Sequence, residues 1–216
     1  GNTVSRQAAE ICPGTHRLSA ECLGDAGLPP GVLNVITNAP EDAPALIEAL
    51  IAHSAVRRIN FTGSTRVGRI IAQIAAKYLK PVLLELGGKA PLVVLDDADL
   101  DAAVAAAAFG AFMNQGQICM STERIVLDQS VADAFIAKFA AKAETLVAGD
   151  PRRGNTPLGS LIGIEAAVRL QGLIRDAVGK GARVVAAGKI EGTLISAAVL
   201  PAATQPMAIC DEEPFG

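Results

Sequence analysis

The sequence predicts an α/β protein with an aliphatic core, and three observations lead there. Half of the 216 residues are hydrophobic but only 3% are aromatic, the balance of a core built from Ala, Val, Ile and Leu. Up to Leu86, short β-rich runs alternate with segments of helical period. Glycine and proline fall between the periodic runs, where turns belong.

Taken in order, Gly1 to Ala9 opens with a short apolar NTV followed by Ser5, Arg6, Gln7 and then Glu10. Thr15 predicts a helix cap, with Leu18, Cys22 and Ala26 at spacing four on one face. Gly27-Leu28-Pro29-Pro30-Gly31 stops that helix. VLNVIT (32–37) predicts a buried strand, and a helix from about Glu41 to Ala52 carries Leu46, Ile47, Leu50 and Ile51 on one side. RRINFT (57–62) is the next strand and runs into Gly63-Ser64-Thr65. The stripe Val67, Ile70, Ile71, Ile74, Ala75, Tyr78 predicts a helix to about Leu79, and PVLLEL (81–86) another strand. This alternation implies parallel pairing through helical crossovers, as in half of a nucleotide-binding sheet.

Gly87-Gly88 breaks the pattern, so the domain division is placed there, with residues 1–87 and 88–216 as the two parts. PLVVL (91–95) starts the second part, and Asp99 predicts the cap of an alanine-rich helix to about Phe112. Strand RIVLD (124–128) precedes a helix with Val131, Phe135, Phe139 and Leu146 inward. A polar surface loop (149–159), a helix from about Ile164 to Gly179 and strand RVVAA (183–187) follow, and the remainder reads as irregular. The chain begins GNTV without methionine and stops at EEPFG within what reads as a loop, so an internal piece of a longer protein is expected.

Net charge is −3, which offers no basic surface to nucleic acid or an anionic membrane. No apolar run approaches the roughly 20 residues of a membrane span, and no signal peptide is evident. Cys12, Cys22, Cys119 and Cys210 show no CxxC or Cys/His spacing, and His16 and His53 lack metal-like neighbours. No metal site and no disulfide framework are expected; reduced thiols in the cytoplasm are.

Three stretches have residue types suited to chemistry. FTGSTRVG (61–68) is a strand, glycine turn and helix start, whose amides and dipole suit a phosphate; an ordinary βα turn capped by Ser64 accounts for it as well. LELGGK (84–89) places Glu85 at the end of a strand expected to be buried, where apolar surroundings suit a general base; a solvent-facing acid, or one paired with Lys89, is the plain alternative. NQGQIC (114–119) sets Cys119 after a loop of amides and glycine, a place for a nucleophilic thiol; a buried structural cysteine is the plain alternative, and that fate is expected for Cys12, Cys22 and Cys210.

FTGSTRVG, LELGGK, FxNQGQxC and EEPFG, in that order and at family spacing, resemble the aldehyde dehydrogenase superfamily across residues 1–216. NQGQICMSTERI is similar to its salicylaldehyde and vanillin dehydrogenase branch. The resemblance implies a Rossmann-like parallel sheet forming part of a cofactor domain, then part of an α/β catalytic domain. It implies NAD-dependent oxidation of an aldehyde, aromatic in that branch, to the acid. Cys119 would form the thiohemiacetal and thioester, and Glu85 would activate the hydrolytic water. The Cys119 amide would be half of the oxyanion hole; the other half, an asparagine of a Trp-Asn motif, is absent from these 216 residues, and Asn114 is not its substitute.

Cofactor roles carry over likewise. Gly63, Ser64 and Gly68 match the pyrophosphate turn, Glu10 the acid on the adenosine ribose, and Leu86 a residue beside the cofactor. Glu213 matches the acid on the nicotinamide ribose and Phe215 the aromatic beside the ring. Gln7 stands where the family usually has lysine, so no cation awaits a 2′-phosphate and NAD is favoured over NADP. A small-molecule aldehyde is the implied partner, with a parent homo-oligomer (dimer or tetramer) and little or no turnover from residues 1–216 alone. Two rivals stand: a CoA-acylating relative, which usually lacks the acid at Glu85, and a non-catalytic nucleotide-binding module retaining only the fold.

Overall fold

The computed structural model describes residues 2–186 and 188–216. The chain forms two compact units, Gly1–Glu85 and Leu86–Gly216.

The first unit is built from parallel strand pairs. β1 (Val4–Gln7) pairs with β2 (Leu33–Ile36), and helix α1 (Pro13–Asp25) connects them. After α2 (Ala43–Ala52), β3 (Ile59–Thr62) pairs with β4 (Val82–Glu85) across α3 (Thr65–Lys77). Parallel neighbours need such crossovers because a tight turn cannot return the chain to the same end. Ile51, Ile71 and Ala75 are the buried centre, packed by Ile47, Ile59, Phe61, Val67, Ile74 and Val82 from α2, α3 and both strands. Ile70 and Tyr78, expected on the inner stripe of α3, are 46% and 41% exposed; the contacting face is narrower than the stripe.

Two expectations for α1 fail, and β1 is a strand the sequence reading did not anticipate. β1 arises from a polar stretch, because pairing with β2 supplies its hydrogen bonds. Thr15 does not cap α1: the helix begins two residues earlier, with Pro13 at its first position and Cys12 before it, where proline's fixed φ suits a helix start. The Leu18–Cys22 face of α1 is not buried either; the helix buries no residue and Leu18 is 59% exposed.

In the second unit β5 (Ala90–Val94) pairs parallel with β6 (Thr122–Leu127) across α4 (Leu100–Phe112). Asp99 caps α4 by accepting from the amides of Asp101 and Ala102. α5 (Gln129–Glu144), capped by Asp128, places Phe135 and Phe139 against Val94, Val104, Ala107 and Ala108. Phe139 stacks on both Phe135 and Phe112, at centroid distances of 5.6 and 5.9 Å. α6 (Ile164–Gly179) buries Ala167, Leu170, Leu173 and Ala177. A small antiparallel hairpin, β7 (Ile190–Glu191) and β8 (Leu194–Ile195), occupies part of the tail expected to be irregular. No strand forms over 183–186, where Ala186 makes a single bridge to Val199; Ala187, the last residue of that expected strand, lies outside the described residues. Among the described residues no helix is long and apolar enough to cross a membrane.

Phe135 is 1% exposed, so Phe135→Ala should cost about 3–5 kcal/mol of unfolding free energy in urea titration. Leu18→Ala should stay within about 0.5 kcal/mol. Equal effects would contradict this division of core and surface.

Candidate active site

In the first unit the expected cofactor residues collect at the carboxyl ends of the parallel strands, where open α/β sheets receive ligands. Gln7 ends β1, and its Nε2 donates to Glu10 Oε1 at 3.1 Å and to Asn38 Oδ1 at 2.8 Å. Asn38 Nδ2 in turn donates to Glu10 Oε1 at 3.2 Å. Asn38 is a member of this cluster that sequence reading missed, because nothing local links it to Gln7; only the β1–β2 pairing does. The cluster holds two amides and one carboxylate, and no cation.

At the end of β3, Ser64 caps α3 by accepting from Val67 N–H at 3.3 Å. The ring of Phe61 covers Gly63, where a Cβ would fall 2.6 Å from it, so a side chain here would have to displace that ring. Gly68 is buried in the first turns of α3. The Gly63 amide donates to Glu85 C=O at 3.0 Å, and Thr62 pairs with Glu85; the acid therefore ends the strand beside the turn. Its side chain is exposed, like that of Leu83 at 52%. This corrects the expectation of a buried strand, since β4 buries only the alternate face.

In the second unit Cys119 follows three consecutive left-handed residues: Asn114 (φ 52°), Gln115 (φ 58°) and Gly116 (φ 72°). Such backbone costs about 1–3 kcal/mol per non-glycine residue and persists only where the surroundings hold it. Here they do. Ser121 Oγ, buried, donates to Gly116 C=O at 3.0 Å. Gln117 Oε1 accepts from Ile162 N–H at 2.8 Å. Gln115, with its amide oriented to suit both neighbours, accepts from Gly159 N–H at 2.9 Å. A Cβ on Gly116 would sit 3.1 Å from Ala111 C=O and from Gly216, so the loop abuts the EEPFG segment.

Cys119 itself is exposed, with Met120 77% exposed beside it. No described group accepts the Cys119 amide hydrogen. Cys12 and Cys22 are also exposed and Cys210 is half-buried, all four being free thiols. The expectation that the other three are buried is corrected: α1 offers no buried face and Cys12 precedes its first turn.

Within this unit the EEPFG segment meets Gly87. A Cβ on Gly87 would coincide with the carboxylate of Glu213, so the first glycine of the pair leaves room for that acid. Glu213 Oε1 is buried without a hydrogen-bond partner. Phe215 adopts a left-handed φ of 51° and is 38% exposed. Leu86 is half-buried. Lys89 pairs with Glu123: Nζ lies 2.7 Å from Oε2, with side chains 15% and 6% exposed. The contact is a short, largely buried ion pair. Burial pushes the Glu123 carboxyl up from its usual range; Lys89 opposes the rise, the Glu213 charge adds to it, and the Phe215 amide opposes it. Among the described residues no group of His, Cys, Asp and Glu could hold a metal ion.

The sequence model of the aldehyde dehydrogenase family matches residues 1–216, and the chain belongs to that family. It is 58% identical over 216 residues to a vanillin dehydrogenase of Pseudomonas fluorescens, covering all of this chain and 45% of that protein. It is similar to the crystal structure of a salicylaldehyde dehydrogenase from Pseudomonas putida G7 complexed with salicylaldehyde: TM-score 0.96, 51% identity, 100% of this chain and 45% of that one. An E. coli NADP-dependent enzyme matches with TM-score 0.92 and 36% identity over 99% of this chain and 44% of that one. The chain thus spans under half the length of these relatives.

Brief alkylation of the native protein should modify Cys12, Cys22 and Cys119 and leave Cys210 behind, read by peptide mass spectrometry. Urea should bring Cys210 level. Prompt native labelling of Cys210, or protection of Cys119, would contradict these exposures.

Proposed function

We propose that the enzyme carrying this chain oxidises an aldehyde of the aromatic class to its carboxylic acid, with NAD as coenzyme, Cys119 as nucleophile and Glu85 as base. The observation that carries this reading is the Cys119 loop: an exposed thiol on a strained, side-chain-braced turn, with its own amide free to donate.

Cys119 gives up its thiol proton to solvent, and its sulfur adds to the carbonyl carbon as the C=O electron pair moves to oxygen. The free Cys119 N–H donates to that oxygen as charge develops there. NAD, when bound, supplies the acceptor for the hydride that the former aldehyde carbon loses. Glu85 takes a proton from the water that attacks the resulting thioester; the C–S bond breaks, returning the thiol and releasing the acid.

Residues 1–87 are the coenzyme-binding part in this reading, and residues 88–216 the part with the thiol. Gln7, Glu10 and Asn38 would hold the adenosine ribose. Gly63, Ser64 and the α3 amides would receive the pyrophosphate, with Gly68 allowing close packing. Leu86, Glu213 and Phe215 would serve the nicotinamide end. The unpartnered, buried Glu213 Oε1 suits hydroxyl donors of a ribose. NAD over NADP is supported by the Gln7–Asn38–Glu10 cluster, which offers a 2′-phosphate a carboxylate and no cation. The aromatic class is supported by the vanillin and salicylaldehyde relatives. A cytoplasmic homo-oligomer (dimer or tetramer) accords with the same family.

In the full-length enzyme Cys119→Ser should abolish NADH formation, including the first turnover. Glu85→Gln should lower steady-state kcat by about 10²–10⁴-fold yet keep a single-turnover burst. A Glu85→Gln enzyme turning over at the wild-type rate would refute the assigned base. Gln7→Lys should raise kcat/KM for NADP relative to NAD; an unmoved ratio would refute the reading of that cluster.

A further inference from the structure

The segment from Cys210 to Phe215 leaves a single 3-10 turn, Ala208–Cys210, and past Glu212 no strand or helix holds it; side chains from elsewhere in the second unit do so instead. Lys89 Nζ donates to Glu212 C=O at 3.1 Å. Arg124 Nη2 donates to Cys210 C=O at 2.6 Å. Arg169 donates to Glu213 C=O at 2.7 Å and also to Pro214 C=O. The Phe215 amide lies beside the Glu123 carboxylate and favours its charged form. Behind this strap, Lys89 and Glu123 form the least exposed ion pair among the described residues.

A buried ion pair contributes little net stability, because desolvation offsets its attraction. Its value lies in fixing geometry, and here both partners reach the same strap: Lys89 bonds the carbonyl before Glu213, and the Glu123 carboxylate lies beside the amide two residues after it. Between those two anchors the Glu213 carboxylate lies over Gly87 with Oε1 buried and unpartnered. The left-handed Phe215 also needs outside support, and the Glu123 charge beside its amide favours it.

We propose that Lys89 and Glu123 are positioning residues: together they hold the Cys210–Phe215 strap so that the Glu213 carboxylate presents Oε1 to the hydroxyls of the nicotinamide-side ribose. This rests on the dehydrogenase reading above and assigns the pair no contact with substrate or coenzyme.

The test uses the full-length enzyme with Glu123→Gln, and separately Lys89→Gln, and measures equilibrium binding of AMP and of ADP-ribose. ADP-ribose carries the second ribose and AMP does not. Each variant should bind AMP as the wild type does and ADP-ribose about tenfold more weakly, the size expected for one misplaced charged hydrogen bond. Glu213→Gln should show the same selective loss, and Glu213→Gln with Glu123→Gln no further loss. Unchanged ADP-ribose affinity in both pair variants overturns the proposal. Should Glu123→Gln lose AMP binding too, its fold is damaged and Lys89→Gln decides: a loss confined to ADP-ribose upholds the pair, and none overturns it. A wild type that neither reduces NAD nor binds either nucleotide sinks the dehydrogenase reading itself, whereas an active wild type with unaltered variants sinks only the positioning role.

Discussion

The absence of a side chain at Gly87 is the constraint on which the position of the Glu213 carboxylate depends. The Glu213 carboxylate occupies the space a Cβ would take, so two motifs far apart in sequence, LELGGK and EEPFG, share one volume. A methyl group at Gly87 would displace the Glu213 carboxylate from that space. The preference for glycine is here a matter of packing rather than of backbone conformation.

The Cys119 loop follows the same logic by a different route. Asn114 and Gln115 accept a left-handed backbone that isolated residues avoid, and Ser121, Gln117 and Gln115 offset the strain with bonds to Gly116, Ile162 and Gly159. The amide-rich wording of NQGQ is therefore scaffolding: its side chains brace the turn and leave the Cys119 thiol and N–H unengaged. Gly216 lies against Gly116, which couples the thiol loop to the same strap that Gly87 admits.

Much of this was legible from residue patterns. The helices α3 and α4 announced themselves by period or by their caps at Ser64 and Asp99 and α5 by its inward residues, because those signals are local; Asp128, read as the end of a strand, proves to be the cap of α5. Family membership was legible from four motifs in order. What was hidden depends on partners distant in sequence. β1 is VSRQ, a stretch with no β pattern that becomes a strand only beside β2. Asn38 joins Gln7 and Glu10 through that pairing, and Lys89 meets Glu123 through the β5–β6 register. Cysteine burial was misjudged because a residue's usual fate says nothing about whether its helix has a packed face, and α1 has none. The alternate face of β4 misled in the same way: four apolar neighbours around Glu85 do not bury it when the strand shows them to opposite sides.

The account stands or falls on a covalent link between substrate carbon and one sulfur. Intact-protein and peptide mass spectrometry of the full-length Glu85→Gln enzyme, quenched in acid after mixing with NAD and vanillin, reads that link directly. The expected result is an acyl adduct of the aldehyde minus one hydride, confined to the peptide containing Cys119 and absent from Cys119→Ser. An adduct on Cys12, Cys22 or Cys210 instead, or none while NADH still forms, would contradict the assignment of Cys119 as nucleophile.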